Sequence, residues 1–290
     1  MSPKHSTPHS AILTSPATAL PLAPIIRWAG SKRKSVDKLK RYWNPQFTRY
    51  IEPFAGSACL YFSLPPVAAV LADVNDELIN FYECLRLDPL VLRAEIKSIP
   101  VSEARFKRMR AINPGNLTSL QRAARFCYLN RHCFNGLYRT NRAGMFNVPY
   151  SNSRNGDIPG AEHFCQAAKR LSDAVLACSD FEEVIFNHVR AGDFVYIDPP
   201  YAVAHRRVFS EYGPGTFNTD DLWRLRESLL EIERRGAHFL LTYAICPVAQ
   251  KLFKTWHAER IMTQRNIAGF HEKRKKSTEV LYSNITIRRH

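Results

Sequence analysis

The sequence predicts an α/β protein built on an open β-sheet with helices on both faces. The first observation is the apolar run 194–197, which stops at Asp198 and two prolines. An uninterrupted apolar run is typical of a central strand that is covered on both faces. The second observation is the order of patterns over residues 50–73, where a strand, a glycine turn, a helix, a second strand and an acid follow one another. Ligands of open α/β sheets bind beyond the carboxyl ends of such strands.

The residues after the first of these strands offer a candidate site. Pro199 and Pro200 cannot continue a strand ladder, so Asp198 and the Pro199 carbonyl are expected in a rigid turn, with the ring of Tyr201 beside them. Two acceptors and a flat ring suit a planar amine such as a flipped nucleobase. An ordinary Asx-type turn is the alternative explanation for Asp-Pro alone.

The second group of patterns predicts a cofactor site. Small residues around Gly56, at a strand-to-helix turn, let a ligand approach the backbone, although tight packing of strand on helix explains a single glycine equally well. Asp73 ends the next strand, where dinucleotide-type folds place the carboxylate that binds ribose hydroxyls. Capping of the following helix is the alternative role of Asp73, and Asn75 is an equally good cap.

The charge of the chain favours a polyanionic partner. Lys and Arg number 41 against 26 Asp and Glu, a formal net charge of +15. Residues 101–150 hold nine basic side chains and one acid, Glu103, whereas a solvated helix face usually mixes signs. Charge alone would fit DNA, RNA or an anionic membrane surface.

Composition also indicates a compartment. The seven cysteines show neither the paired spacing of zinc sites nor a secreted disulfide framework, so reduced thiols in a cytoplasmic protein are the simplest interpretation. No apolar run approaches the length of a membrane span. Residues 1–24, rich in Ser, Thr, Pro and Ala, are expected to form a disordered tail.

Residues 128–150 predict a β-hairpin, since two short arms containing aromatic residues flank a turn from Asn141 to Gly144. A two-stranded ribbon fits the major groove of DNA, and an arginine on it can bind guanine through two hydrogen bonds.

Four motifs together resemble the Dam-like DNA adenine-N6 methyltransferases. They are Arg27-Trp28-Ala29-Gly30-Ser31-Lys32, the Phe-x-Gly motif at 54–56, the segment 129–149 with its Leu-Asn-Arg, Asn-Gly-Leu and Phe-Asn-Val-Pro elements, and Asp198-Pro199-Pro200-Tyr201. The likeness runs from about residue 26 to the C-terminus, in the motif order of the family. It implies a Rossmann-like class I methyltransferase with a mixed seven-stranded sheet, formed by residues 25–80 and 166–290. Residues 81–165 would be an inserted, mostly helical target-recognition domain.

The resemblance assigns roles to individual residues. The implied catalytic residues are Asp198, Pro199 and Tyr201. Those for the cofactor, S-adenosyl-L-methionine, are Trp28, Lys32, Phe54, Gly56, Asp73 and Asp198. Those for double-stranded DNA are Arg131, Asn135, Arg139, Asn141, Arg142, Asn147, Pro149 and Lys275. The expected reaction requires base flipping and no metal ion.

The chain also departs from the family pattern. After Phe-Asn-Val-Pro it continues with Tyr150-Ser151-Asn152-Ser153-Arg154 instead of an aromatic residue, Gly and Arg, so recognition of GATC is an open hypothesis. The rival substrates are cytosine N4, an RNA base and a protein glutamine, and a catalytically inactive DNA-binding relative is a further alternative. A monomer is the expected state, and a cognate restriction endonuclease is compatible with the resemblance as a functional partner.

Overall fold

The structure is a computed structural model that describes residues 21–141, 144–151, 156–201, 217–264 and 276–285. Residues 1–20 of the predicted tail therefore lie outside the described residues, and residues 21–24 lie within them. Leu22 already joins the fold, because its main-chain N–H donates a hydrogen bond of 2.9 Å to the Phe62 carbonyl. Among the described residues, no helix is both long enough and apolar enough to cross a membrane.

Seven strands of the described chain form one mixed sheet in the order β3-β2-β1-β4-β5-β7-β6, which confirms the predicted seven-stranded sheet. Strands β1 to β5 are parallel, whereas β7 runs antiparallel between β5 and β6. Their bounds are β1 Tyr50–Glu52, β2 Ala69–Asp73, β3 Ala174–Cys178, β4 Phe194–Ile197, β5 His238–Ala244, β6 His257–Gln264 and β7 Lys276–Ser283.

Strand β4 is buried on both faces, as its uninterrupted apolar run predicted. Phe194 and Tyr196 join one hydrophobic cluster, and Val195 and Ile197 join the cluster on the other face of the sheet. All four are at most 1% exposed. The alternation of strand side chains thus places two apolar residues on each face, and neither face can tolerate a polar one without a partner.

Helices cover both faces of the sheet. Helices α8 to α10 contribute to one of the two clusters, and α1 to α7 contribute to the other. Their bounds are α1 Val36–Lys40, α2 Cys59–Ser63, α3 Asp76–Leu87, α4 Pro89–Ser98, α5 Glu103–Ala111, α6 Ser119–His132, α7 Ala161–Leu171, α8 Phe181–His188, α9 Thr219–Arg234 and α10 Pro247–Leu252.

The segment between β2 and β3 is mostly helical, as predicted, and it shares a hydrophobic cluster with the sheet. Phe106 of α5 and Phe126 of α6 belong to the same cluster as Tyr196 of β4. Helix α6 begins with a capping box in which Thr118 and Gln121 satisfy each other's main-chain N–H groups. Helices α5 and α6 thus share the core on this face of the sheet, and α6 packs against α3 and α4.

The predicted hairpin is less regular than expected in its described part. Its arms are joined by single antiparallel bridges, Thr140 to Phe146 and Cys133 to Tyr150, instead of by two continuous strands. Asn135 lies in the left-handed region with a φ of 56°, and Pro149 has no N–H to donate. These residues interrupt the ladder on both arms.

Asn130 ties the predicted recognition segment, residues 128–150, to the residues that precede α1. Its side chain is fully buried, its Oδ1 accepts from the Arg27 N–H at 2.8 Å, and its Nδ2 donates to the Arg27 carbonyl at 2.7 Å. One amide side chain thus satisfies both main-chain groups of a residue that belongs to no helix or strand.

Replacing Asn130 by Ala should lower the free energy of unfolding by about 2–4 kcal/mol, because two partly buried main-chain groups lose their partners and a fully buried side chain leaves a cavity. Chemical denaturation of both proteins measures this loss. The exposed Asn116 gives a matched control, since its change to Ala should alter the unfolding free energy by less than about 0.5 kcal/mol. Equal effects of the two substitutions would contradict the assigned role of Asn130.

Candidate active site

The sheet order creates a crevice beyond the carboxyl ends of β1 and β4. Strand β1 has β2 on one side and β4 on the other, so the connections leave β1 and β4 in opposite directions. Such a switch point leaves a cleft between the two loops, where ligands of open α/β sheets bind. The Phe54–Gly56 turn follows β1 and Asp198 follows β4, so the fold brings the two predicted motifs side by side.

Asp198, whose side chain is 18% exposed, forms an ion pair with the buried Lys32. The Lys32 ammonium lies 2.8 Å from Asp198 Oδ1, and it also donates to the Gly30 carbonyl at 3.1 Å. The Lys32 side chain is 6% exposed, so it is not the solvated charge that a lysine usually is. The segment before α1 therefore contributes directly to the environment of the predicted catalytic carboxylate.

The electrostatics of this pair follow from burial. Loss of solvent raises the pKa of the Asp198 carboxyl to about 6; the Lys32 ammonium opposes this rise, and the nearby Glu279 carboxylate adds to it. Burial alone lowers the pKa of Lys32, but the charges of Asp198, Tyr201 and Glu279 outweigh burial and raise it above its ordinary value. At neutral pH the pair is therefore ionised, with Lys32 as the group that keeps Asp198 charged.

Tyr201 is partly buried and bonds to Glu279. Its hydroxyl donates to Glu279 Oε1 at 2.5 Å, and its ring meets the ring of Tyr243 edge-on at 5.2 Å. The Lys32 ammonium lies 5.8 Å from the centre of the Tyr201 ring. Pro199 is buried between Asp198 and Tyr201. The catalytic residues implied by the resemblance thus occupy one small region.

Asp73, at the end of the neighbouring strand β2, is linked to the glycine turn that follows β1. Its Oδ2 accepts from the Gly56 N–H and its Oδ1 from the Asn75 N–H, both at 3.0 Å. Burial raises the pKa of Asp73 to about 6, although these main-chain hydrogen bonds lower it. Asn75 caps α3 by accepting from Leu78 N, so the helix cap does not need Asp73.

Trp28 packs against Gly56. The glycine has a φ of +46°, and a Cβ atom at this position would come within 2.6 Å of Trp28 Cδ1. The Trp28 ring also stacks on Tyr138 of the recognition segment, with ring centres 5.8 Å apart and planes inclined by 15°. A single aromatic ring therefore connects the Gly56 turn to the predicted recognition segment.

Replacing Gly56 by Ala should destabilise the protein by about 2–4 kcal/mol, since a left-handed backbone and a side-chain clash each cost about 1–2 kcal/mol. Thermal unfolding measures the loss. Gly236 is the matched control, because it has a φ of +72° but its Cβ would meet Ala191 at an ordinary 3.6 Å. Gly236→Ala should show the backbone cost alone, and an equal loss in both variants would mean that Trp28 moves aside freely.

Two acidic residues of the site were not predicted from the sequence. Glu52 ends β1, is 3% exposed, and its Oε2 has no hydrogen-bond partner among the described residues. Burial raises its pKa well above the ordinary value, the Tyr50 hydroxyl opposes this effect, and Asp198 and Asp73 reinforce it. Glu279 enters from β7, 81 positions after Asp198 in the chain. An acid directly after the apolar strand residues Tyr50 and Ile51 was the available signal for Glu52, whereas Glu279 follows Ser277 and Thr278 and has no such signal.

Phe54, two residues before Gly56, packs against two further aromatic rings. Its ring stacks on Phe181 at 5.2 Å and meets Phe217 edge-on at 6.2 Å. These three rings make an apolar wall next to the Gly56 turn. A flat aromatic ligand could lie against such a wall.

The predicted DNA-binding residues lie on the recognition segment in different settings. The Arg131 guanidinium donates to the carbonyls of Ile25 and Asp157, and burial lowers its pKa. Arg139 Nε donates to Asn147 Oδ1 at 2.8 Å, which fixes both side chains relative to each other.

The remaining predicted DNA-binding residues lie either in the loop of the recognition segment or outside the described residues. The Pro149 carbonyl accepts from Phe134 N at 2.9 Å, Asn135 occupies the left-handed region, and Asn141 Oδ1 accepts from Met145 N at 3.0 Å. The two other predicted residues, Arg142 and Lys275, are outside the described residues.

Comparison with known proteins identifies relatives over most of the chain. A sequence model of the family described as D12 class N6 adenine-specific DNA methyltransferase matches residues 28–269. A type II methyltransferase of Lactococcus lactis subsp. cremoris, M1.LlaDCHI, is 30% identical over 274 residues, covering 91% of this chain and 95% of that protein.

Two relatives from Escherichia coli carry similar names. The retron Ec67 DNA adenine methylase is 30% identical over 267 residues, covering 90% of each chain. The DNA adenine methylase of strain K12 is 28% identical over 266 residues, covering 88% of this chain and 93% of that protein. The similarity includes the segment before α1, the recognition segment and the residues after β4 within the range that the family model matches.

Proposed function

The chain belongs to the D12 class of N6 adenine-specific DNA methyltransferases, and on this premise we propose that Asp198, Pro199 and Tyr201 bind an adenine flipped out of duplex DNA and activate its amine for methylation. The observation that carries the proposal is the position of Asp198. It follows a buried strand at the switch point of the sheet, next to the glycine turn of β1, and Lys32 holds it in its charged form.

The chemistry that this site has to provide is activation of a weak nucleophile. The lone pair of the adenine amine is delocalised into the ring, so nitrogen attacks poorly while it stays planar. The Asp198 carboxylate and the Pro199 carbonyl would accept the two amine hydrogens, which favours a pyramidal nitrogen with its lone pair available. Tyr201 would stack on the flipped base. Catalysis then rests on positioning and electrostatics, without a covalent enzyme intermediate.

The residues around the crevice fit S-adenosylmethionine as the methyl donor, which would supply an electrophilic sulfonium methyl group. Asp73 would accept from the ribose hydroxyls, and Phe54 would lie against the adenine ring. Glu52 offers a buried carboxylate oxygen without a partner, which suits the cofactor's ammonium group. The left-handed turn at Gly56 lets the Trp28 ring pack directly against the backbone beside the crevice, where a side chain would clash.

The recognition segment would contact the DNA. The net charge of +15 supports phosphate binding, and the paired Arg139 and Asn147 present a guanidinium and an amide in a fixed geometry for base contacts. Arg131 would act mainly by holding the segment against Ile25, since both of its terminal nitrogens already donate to carbonyls. Asn135, Asn141 and Pro149 would shape the loop, and Arg142 and Lys275 stay predicted contacts.

A monomer is part of the proposal, because one chain supplies every residue of the described site. The Lactococcus lactis relative is named a type II methyltransferase, which keeps a cognate restriction endonuclease as a proposed functional partner.

Transfer of labelled methyl groups tests the proposal. The protein is incubated with labelled S-adenosylmethionine and unmethylated genomic DNA, and the product is sequenced for methyladenine. We expect N6-methyladenine within one short sequence motif. Label in RNA or protein and none in DNA would contradict the proposal, as would label on cytosine.

A further inference from the structure

We propose that Glu279 is a positioning residue of the methylation site, which fixes the Tyr201 ring by accepting a hydrogen bond from its hydroxyl. The inference rests on the proposed role of Tyr201 as the surface that stacks on the flipped base. It adds a residue from β7, the strand that completes the sheet, to a site otherwise built from the segment before α1 and the ends of β1, β2 and β4.

The strand register brings Glu279 to the site. Strand β7 pairs antiparallel with β5, and Glu279 lies opposite Ala244, the last residue of β5. The carboxyl end of β5 lies beside the carboxyl end of β4, because these two strands are parallel neighbours. An antiparallel strand therefore delivers a side chain from its first half to the same edge of the sheet as Asp198.

The contacts of Glu279 join two residues of the site. Its Oε1 accepts from the Tyr201 hydroxyl at 2.5 Å and lies 3.7 Å from the Lys32 ammonium. Lys32 is closer to Asp198, at 2.8 Å. Tyr243, which neighbours Ala244 on β5, meets the Tyr201 ring edge-on. The ring is thus held at its hydroxyl by Glu279 and at its face or edge by Tyr243.

Fold stability alone does not account for a glutamate at this position. Glu279 is 4% exposed, and its Oε2 has no hydrogen-bond partner among the described residues. A buried carboxylate with an unpartnered oxygen costs free energy, and an apolar residue of similar size is often the more stable choice. Glu279 also lies near enough to Asp198 to raise the pKa of that carboxyl. Costs of this kind concentrate at functional sites.

The hydrogen bond has a direct use in the proposed reaction. A partly buried tyrosine rotates about its side-chain bonds unless its ring is held, and a rotating ring offers no fixed stacking surface. With the hydroxyl anchored, the ring keeps one plane in which the base can stack next to Asp198. Positioning of this kind acts on the reaction rate more than on cofactor binding.

A double-mutant cycle with Tyr201→Phe tests the inference, because the phenylalanine keeps the ring and removes the hydroxyl. Glu279→Ala should lower kcat for DNA methylation about tenfold, the worth of one hydrogen bond to a charged group. Tyr201→Phe should give a similar loss. The double variant should be no slower than either single variant by more than about twofold, and the cofactor Kd should stay within about twofold of wild type.

A second variant separates charge from hydrogen bonding. Glu279→Gln keeps an acceptor for the Tyr201 hydroxyl, so most of kcat should return. It removes a negative charge near Asp198, so the acid limb of the pH profile should move to lower pH. A merely structural role of Glu279 would lower stability but leave kcat per folded molecule at the wild-type value in Glu279→Ala, and the Gln variant keeps the test decisive if Glu279→Ala fails to fold.

Glu259 provides the matched control. Glu259 lies on the neighbouring strand β6. It accepts a hydrogen bond of 2.9 Å from the Tyr42 hydroxyl, and its other partner is Arg41. Glu259→Ala should leave kcat within about twofold of wild type. Unchanged kcat in Glu279→Ala, or losses that multiply in the cycle, would overturn the inference while wild-type methylation of adenine stands. Absence of methyladenine with the wild-type protein would instead contradict the proposed function.

Discussion

Asp198→Asn is expected to lower kcat for adenine methylation by about a thousandfold, with little change in the affinity for DNA. The amide has the shape of the carboxylate but no negative charge, so it loses the charge-assisted hydrogen bond to the amine at the step where nitrogen becomes pyramidal. Removing one preorganised electrostatic contact of this kind typically costs about 10²–10³ in kcat, and the second acceptor, the Pro199 carbonyl, cannot replace it. Single-turnover methyl transfer under saturating cofactor measures the effect.

The control for this variant lies at the other end of the same strand. Asp193 precedes β4, is fully buried and pairs with Arg49 at 2.6 Å. Asp193→Asn breaks an ion pair of the same type away from the crevice, so it should lower stability while leaving kcat per folded molecule within about threefold. If both variants lost activity equally, the loss would reflect damage to β4 and not the chemistry of Asp198.

Lys32→Met is expected to move the acid limb of the pH–rate profile upward by roughly one to three pH units, the usual influence of an adjacent cation. In the wild-type protein the carboxylate of Asp198 forms as the pH rises through about 6, so activity should rise over the same range. Lys32 lowers this pKa. Its removal therefore leaves Asp198 protonated at neutral pH, where it cannot accept the amine hydrogens, and activity should return only in more alkaline buffer.

A matching change at the structural ion pair serves as the control for Lys32. Arg49→Met removes the cation beside Asp193, and the acid limb should stay near the wild-type position. The Lys32 variant should also be less stable, because removing one partner of a buried pair costs about 3–5 kcal/mol, so the profile is measured at a temperature where both variants stay folded. An unshifted limb in Lys32→Met would mean that Asp198 is not the group that titrates.

Local patterns were enough to predict the strands of the crevice. The apolar run at 194–197 and the strand ending at Asp73 lie in β4 and β2 as expected. A strand that is buried on both faces requires a continuous run of apolar residues. This pattern can be recognised from a few neighbouring residues alone. The choice between Asp73 and Asn75 as the helix cap could not be made from sequence, because both residue types cap well; the structure gives the cap to Asn75.

The partners of charged residues could not be predicted from local patterns. Glu279 matters through Tyr201 and Lys32, which lie far from it in the chain and meet it only because β7 pairs with β5. Basic residues in the recognition segment all look alike in the sequence, yet Arg131 is bonded to the Ile25 carbonyl. Periodicity describes which side of an element is buried, and it carries no information about which distant group a buried charge meets.

The placement of β7 between β5 and β6 has a consequence for synthesis of the protein. A nascent chain that has left the ribosome only as far as β6 cannot finish its sheet, since β6 pairs with β7 and not with β5. The same late strand supplies Glu279. Translation therefore delivers the strand that closes the sheet together with a residue of the proposed site, so both are completed by the same late segment.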